Sequence, residues 1–163
     1  MGMRQLIIVR KDLQMSPGKL AAQVAHASMA WLTSELRSRY AAGDYEEHES
    51  DGSCDNNDHS KAYYHIPVNI DKDIFDGWIN GSFTKTVCEA KNLNGINKAK
   101  QLADELGLVE GVDYFIIRDN CLTELTPEEV DENGVGRTVT CIGFKPLTDE
   151  EAHKISKKFQ LYR

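Results

Sequence analysis

Apolar positions along the chain fall into two kinds of run. Compact runs of strand length occur at residues 4–10 (Ile7, Ile8, Val9), 83–90 (Phe83, Val87, Cys88), 114–117 (Tyr114, Phe115, Ile116, Ile117) and 137–144 (Val139, Cys141, Ile142). Elsewhere the apolar residues recur every third or fourth position. This happens at 17–40 (Leu20, Val24, Ala27, Trp31), 71–79 (Ile74, Phe75, Trp78) and 96–106 (Ile96, Ala99, Leu102, Ala103, Leu106). The first pattern predicts β-strands and the second amphipathic helices with those residues toward a core. The β-branched run Ile7–Val9 predicts burial on both faces of a sheet. Local chemistry marks the ends. Ser16 is placed to cap the first helix, with Pro17 at the first helical position, where its missing N–H costs nothing. Gly107 is placed to stop the helix before it. Thr148 and Glu151 form a capping box that opens a last helix ending near 157 or 158. Residues 62–68 predict a short extended piece ended by Pro67, Val112 extends the third strand, and the tail Phe159–Arg163 packs or adds an edge strand.

The order is strand, helix, small helix, strand, helix, strand, loop, strand, helix. That alternation predicts an α/β layered domain with about four strands and right-handed first crossovers. The last two strands are joined without a helix, so the sheet is mixed rather than all parallel. A length of 163 residues suits a single domain, 1–163, with a substantial core. Residues 43–60 are too polar to fold alone and read as a loop insert.

Charge changes this picture only locally. Asp44, Glu46, Glu47, Glu49, Asp51, Asp55 and Asp58 crowd into the insert with no Lys or Arg among them. Those seven carboxylates account for the whole imbalance between 26 acidic and 19 basic residues, so the rest of the chain is formally neutral. A net charge of −7 therefore argues only weakly against a phosphate-bearing partner. Cys54, Cys88, Cys121 and Cys141 form no C-x-x-C pair and read as reduced thiols. No apolar run is long enough to cross a membrane and no signal-peptide pattern opens the chain, so a cytoplasmic protein is expected. His48, Cys54, His59 and His65 match no common zinc spacing, and no metal is expected.

Candidate chemistry gathers where strands lead into helices and loops. Lys19, Gln23 and His26 fall at i, i+4 and i+7 on the first helix, so they stack along one face. The start of that helix offers free N–H groups and a positive dipole end that suit an anion. Residues 118–123 (RDNCLT) follow the third strand, and Thr138 opens the fourth. If the first and third strands are neighbours, Lys19 and Asp119 meet at one sheet edge. There Asp119 would hold the ammonium or accept a proton from water, and Lys19 would stabilise an oxyanion. From spacing alone, such a pair is more often a surface salt bridge, and a histidine placed like His26 more often a hydrogen-bonded structural one.

The segment MSPGKLAAQVAHAS (15–28) resembles the signature of the peptidyl-tRNA hydrolase 2 family, M-x-x-G-K-x-A-A-Q-x-x-H-A. Met15, Gly18, Lys19, Ala21, Ala22, Gln23, His26 and Ala27 match, eight positions within thirteen. Trp78 with residues 83–90 resembles the family's tryptophan-bearing helix and second strand. IIRDNCLTELTP (116–127) resembles its I-x-D-A-G-x-T-x-x-x-P segment, and residues 137–143 its T-V-x-x-I-G strand. The resemblance implies a three-layer α/β/α fold with a mixed four-stranded sheet, often dimeric. It implies an enzyme that cleaves the ester between a peptide and the 3′ ribose of tRNA, with no metal or organic cofactor. Carried over by position, the catalytic set is Lys19, Asp119, Thr123 and Thr138, with Gly18, Gln23 and His26 binding substrate. The chain departs from the family's D-A-G-R-T at Asn120, Cys121 and Leu122. The bend after Asp119 is then expected at Asn120, and the family's basic side chain is replaced by leucine. Glu128, Glu129, Asp131 and Glu132 add acid nearby, so tRNA binding is expected to be weaker than in a basic relative and sensitive to salt. Two alternatives remain at this level: a binding or regulatory module on the same fold, and an esterase for another acyl substrate.

Overall fold

The computed structural model describes residues 2–49 and 61–163, so the readings at Asp51, Cys54, Asp55, Asp58 and His59 lie outside the described residues. In chain order the elements are β1 (Met3–Arg10), α1 (Pro17–Ala41), β2 (Glu46–His48), β3 (Tyr63–His65) and α2 (Lys72–Ile74). α2 runs into a π-helical stretch, Phe75–Ser82. There follow β4 (Lys85–Ala90), α3 (Leu93–Glu105), β5 (Tyr114–Asp119), β6 (Glu129–Val130), β7 (Gly136–Phe144), β8 (Leu147–Thr148), α4 (Asp149–Ser156) and β9 (Gln160–Leu161). These fall into two compact units: residues up to Trp31 together with Asp71–Arg163, and Leu32–Ile70.

The larger unit is built on β1. The sheet order is β5-β7-β1-β4-β9, with β6 beside β7 and β8 beside β1. β1 lies parallel to β4 and antiparallel to β7, and β5 lies antiparallel to β7. All four expected strands are present in a mixed sheet, and the tail adds β9 at the edge beside β4. Successive side chains of β1 part to opposite faces, as the pleat requires. Leu6 and Ile8 join Ile96, Ala99 and Ala103 of α3 and Ala152 and Ile155 of α4. Ile7 and Val9 join Met15, Leu20, Val24 and Ala27 at the start of α1. The result is the three-layer α/β/α arrangement.

Local signals behave as the chemistry dictates. Gly107 takes φ +78 just past α3. Its N–H bonds the Asp104 carbonyl and that of Leu108 the Ala103 carbonyl, a paired closure of the last helical turn. The capping box at α4 is complete in both directions.

Several expectations fail. β1 and β5 are not neighbours, because β7 lies between them. Residues 128–136 are not simply a loop: β6 pairs Glu129 with Arg137 and Val130 with Gly136. Phe75 is exposed although Ile74 and Trp78 beside it are buried, since the π-helical winding changes which residues share a face. Phe83 precedes its strand in a left-handed conformation, φ +50, and Val112 sits exposed in a turn. Trp31 is only half-buried and meets Trp78 edge-on at 6.5 Å.

The smaller unit corrects the reading of the insert. β2 lies inside the stretch read as loop and pairs antiparallel with β3, matching Glu46 to His65, Glu47 to Tyr64 and His48 to Tyr63. Tyr45 stacks on Tyr40 at 4.6 Å, and Tyr64 meets both rings edge-on at 5.4 Å. Arg39 ties Glu35 and Asp44 together.

Candidate active site

Ser16 caps α1 as its position predicts. Its carbonyl accepts from the Leu20 N–H at 2.8 Å and its hydroxyl accepts from the Lys19 N–H at 3.3 Å. Its own N–H and O–H both reach Glu124 Oε1, at 3.2 and 2.9 Å, so the loop after β5 is fastened to the start of the helix. Gly18 follows in the first turn, whose N–H groups lack intrahelical partners. A Cβ added at Gly18 would meet nothing within 4 Å. Folding therefore does not demand glycine there, and its bare backbone leaves the helix end open to approach.

One turn into the helix, Lys19 reaches back to the sheet edge. Its Nζ donates to Asp119 Oδ2 at 2.6 Å and to Thr123 Oγ1 at 3.1 Å. An ammonium has three donors, so one N–H remains for a ligand. The next turn supplies Gln23, whose Nε2 donates to the same Asp119 oxygen at 2.9 Å. Asp119 Oδ1 accepts the Cys121 N–H at 2.9 Å. Three of the four or so acceptor positions of a carboxylate are thus occupied, and one stays open.

This constellation sets the charge state of Asp119. Burial pushes the carboxyl up, but the Lys19 ammonium, the Cys121 amide and the Gln23 amide outweigh it and hold the group below its ordinary value. A carboxylate with a lowered folded value adds stability above its unfolded pKa and loses it as pH falls through the folded one. Activity that needs ionised Asp119 is therefore expected to persist from neutrality down to about pH 4. The stability gap between the native chain and Asp119→Asn should narrow only below that. A pH–rate profile and denaturant titrations at several pH values check this; an acidic limb near pH 6 that Asp119→Asn abolishes would contradict it.

Lys19 and Asp119 meet even though β7 separates β1 from β5. α1 lies across the sheet, and β7 carries a bulge that meets it. Pairing runs Ile117 with Cys141 and then Arg118 with Val139, leaving Thr140 without a partner. Such a bulge sends two consecutive side chains to one face and often lies beside active sites. Here Thr140 donates to Gln23 Oε1 at 2.7 Å, and the Cys141 thiol lies 3.6 Å from the Gln23 carbonyl. Thr140 therefore fixes which end of the Gln23 amide points at Asp119. Thr140 was not among the expected site residues. Its signal was the run Val139-Thr140-Cys141-Ile142, in which polar and apolar residues do not alternate as in a regular half-buried strand.

Other expected residues border this cluster without a side-chain hydrogen bond to the Lys19–Asp119 pair. Thr138 is fully buried and gives its proton to the Thr126 carbonyl at 2.7 Å while accepting from the Glu128 N–H at 3.1 Å. It shapes the loop that carries Thr123 and stands opposite Asp119 in the β5–β7 ladder, with the Cys121 thiol 3.4 Å from its hydroxyl, and its side chain makes no hydrogen bond to Lys19 or Asp119. His26 is exposed on α1 and makes no hydrogen bond to the cluster. The bend after Asp119 falls at Cys121, φ +55, and not at Asn120. The Asp119–Cys121 hydrogen bond holds that left-handed residue in a tight Asx turn. Leu122 projects 84% exposed beside it.

The acidic residues after β5 are less free than their sequence suggests. Arg10, buried at the end of β1, grips Glu128 at 2.5 and 2.9 Å as well as Asp12. Arg118 pairs with Glu129 at 2.8 Å and Arg137 with Asp131 at 2.9 Å. Three of the four carboxylates expected to repel tRNA are therefore matched by arginine.

A helix start and a strand end thus converge on one lysine–aspartate pair, with a threonine beside them. The chain belongs to the peptidyl-tRNA hydrolase PTH2 family, whose model matches residues 3–162. It is similar to the peptidyl-tRNA hydrolase of Thermoplasma acidophilum, 30% identical over 158 residues covering 97% of both chains. The Methanopyrus kandleri peptidyl-tRNA hydrolase is 30% identical over 160 residues, 98% of each chain. That of Haloquadratum walsbyi is 31% identical over 160 residues, 98% of this chain and 100% of its own.

Proposed function

We propose that the chain hydrolyses the ester linking a peptide, or an N-blocked amino acid, to the 3′ ribose of tRNA. The observation that carries this reading is Lys19 Nζ at 2.6 Å from Asp119 and 3.1 Å from Thr123 with one N–H unspent. It stands within a family match along nearly the whole chain. Water adds to the ester carbonyl, the carbon–oxygen bond to the ribose breaks, and the 3′ oxygen leaves with a proton. The free Lys19 N–H donates to the oxyanion. One such donor typically contributes about 10²–10³ in rate. A carboxylate held below its ordinary value is a weak base, so Asp119 serves first to fix the ammonium, its open Oδ1 position accepting from the attacking water. The Thr123 hydroxyl accepts from Lys19 and keeps its own proton for that water or for the 3′ oxygen. Gly18 leaves the helix end clear for the substrate's carbonyl or terminal phosphate, and the resident charge needed for both is that of Lys19.

In this proposal Gln23, held by Thr140, positions Asp119. Thr138 acts through the loop rather than on substrate, and His26 lines an outer part of the binding face. The same reading takes residues 1–163 as one hydrolase domain with the acidic stretch as an insert. It takes the setting as cytoplasmic, where translation makes the substrate, and the assembly as a homodimer, on the strength of the family resemblance. No described helix is long and apolar enough to cross a membrane. The pairing of Glu128, Glu129 and Asp131 with arginines favours a tRNA substrate over the reading of a binding module that repels it.

Release of N-acetyl-aminoacyl groups from a defined tRNA, measured beside an equivalent small ester, tests the proposal. Cleavage of the tRNA ester is expected, falling as salt rises because phosphate contacts release counterions. Cleavage of the small ester alone would favour the other esterase reading, and no cleavage of either would sink the enzyme.

A further inference from the structure

One face of the β2–β3 hairpin carries a set of side chains that the proposed hydrolysis does not use. Glu46 and His48 stand two apart on β2 and so share a face, and the ladder places His65 opposite Glu46. Glu46 Oε2 lies 3.5 Å from His48 Nε2 and 3.8 Å from His65 Nδ1, and the three ligand atoms all fall within 4.8 Å of one another. We propose that Glu46, His48 and His65 form a binding site for a divalent transition-metal ion of the zinc type.

Donor chemistry selects that class. Two imidazoles and one carboxylate suit zinc, cobalt or nickel, whereas magnesium and calcium prefer all-oxygen shells. Tetrahedral zinc with bonds near 2.1 Å sets its ligand atoms about 3.4 Å apart. The shortest separations here already approach that spacing. All three side chains are well exposed, so rotation about their own bonds closes the remainder without moving the backbone.

The surroundings favour a cation independently of the ligand geometry. Residues 43–49 carry Asp44, Glu46, Glu47 and Glu49 with no lysine or arginine, and Arg39 is already engaged by Glu35 and Asp44. A single ion pair needs one histidine, yet two imidazoles converge on one carboxylate oxygen. The opposite face of the hairpin is held by the packed rings of Tyr40, Tyr45 and Tyr64, which fixes the strand pairing that brings the ligands together. His48 is steadied further by stacking on Tyr63 at 4.6 Å. A hollow of about 390 Å³ beside Glu46 and His65 leaves room for water in the open coordination position. Sequence spacing hid the set because its members come from two strands and only the ladder register joins them. The ion would be structural, linking the two strands from which the acidic stretch departs.

The test uses the whole, tag-free chain. Calorimetric titration with Zn2+ measures stoichiometry and affinity, Co2+ absorption reports coordination, and imidazole 15N spectra identify the ligating nitrogens. One Zn2+ per chain is expected, with His48→Ala and His65→Ala each weakening it at least tenfold. Shifts should fall on His48 Nε2 and His65 Nδ1, and Cys54→Ser and His59→Ala should bind as the native chain does. Glu46→Gln, which keeps the side chain's size, should also weaken binding and guards against an effect of altered hairpin packing. Lack of Zn2+ binding, or binding that survives the double change at His48 and His65, would overturn the proposal. So would a site abolished by Cys54→Ser alone.

Discussion

Lys19→Ala is expected to lower the rate of peptide release from tRNA by about 10²–10³ while leaving the fold intact, because it removes the ammonium proposed to donate to the developing oxyanion. Asp119→Asn should cost a similar factor by a different route. The uncharged amide no longer holds the ammonium 2.6 Å away, and its NH2 group faces Lys19 or Gln23 as a second donor. The two losses should not add: once the pair is broken, removing the second partner changes little more. Single-turnover kinetics on the two single variants and the double variant measure this. A double variant slower by the product of the two factors would show that Lys19 and Asp119 act separately, and near-native rates in both single variants would remove the proposed chemistry.

Gly143→Ala should be the most damaging small substitution in the fold. A Cβ there would sit 2.5 Å from the Ala27 carbonyl oxygen and 2.8 Å from the Ala27 Cβ. The first contact is with backbone, so no side-chain rotation relieves it and α1 must lift from β7. Overpacking of this kind costs about 3 kcal/mol. The lift acts on the segment that carries Gln23 and Lys19 one and two turns before Ala27, so release should slow along with the loss of stability. Denaturant midpoints and turnover on the same preparation check both. A native midpoint would mean that the helix does not ride on β7 this closely.

The signals that were legible in the chain were those whose cause is local. The capping box at Thr148, the glycine stop at Gly107 and the β-branched run of β1 each appear where residue chemistry puts them. The pairing of Lys19 with Asp119 is legible too, although the condition attached to it, neighbouring first and third strands, is not met. Adjacency of β1 and β5 is not what joins them; the helix crossing β7 is. Features that escaped depend on partners far along the chain. The bulge at Thr140 exists only relative to β5, and β2 only relative to β3. Asn120 was favoured for the left-handed bend on intrinsic preference, but the Asp119 carboxylate accepting the Cys121 N–H decides the matter one residue later. The acid after β5 looked repulsive because a linear reading cannot see Arg10, buried at the other end of the chain's first strand, reaching Glu128.

The sheet order has a consequence for synthesis. Lys19 emerges from the ribosome 100 residues ahead of Asp119, and β7, the strand that stands between β1 and β5, is made after both. Until Phe144 has been added, the sheet that sets β5 two places from β1 is incomplete. On the proposed chemistry, a nascent copy of this hydrolase stays inert while it is itself an unfinished peptide esterified to tRNA.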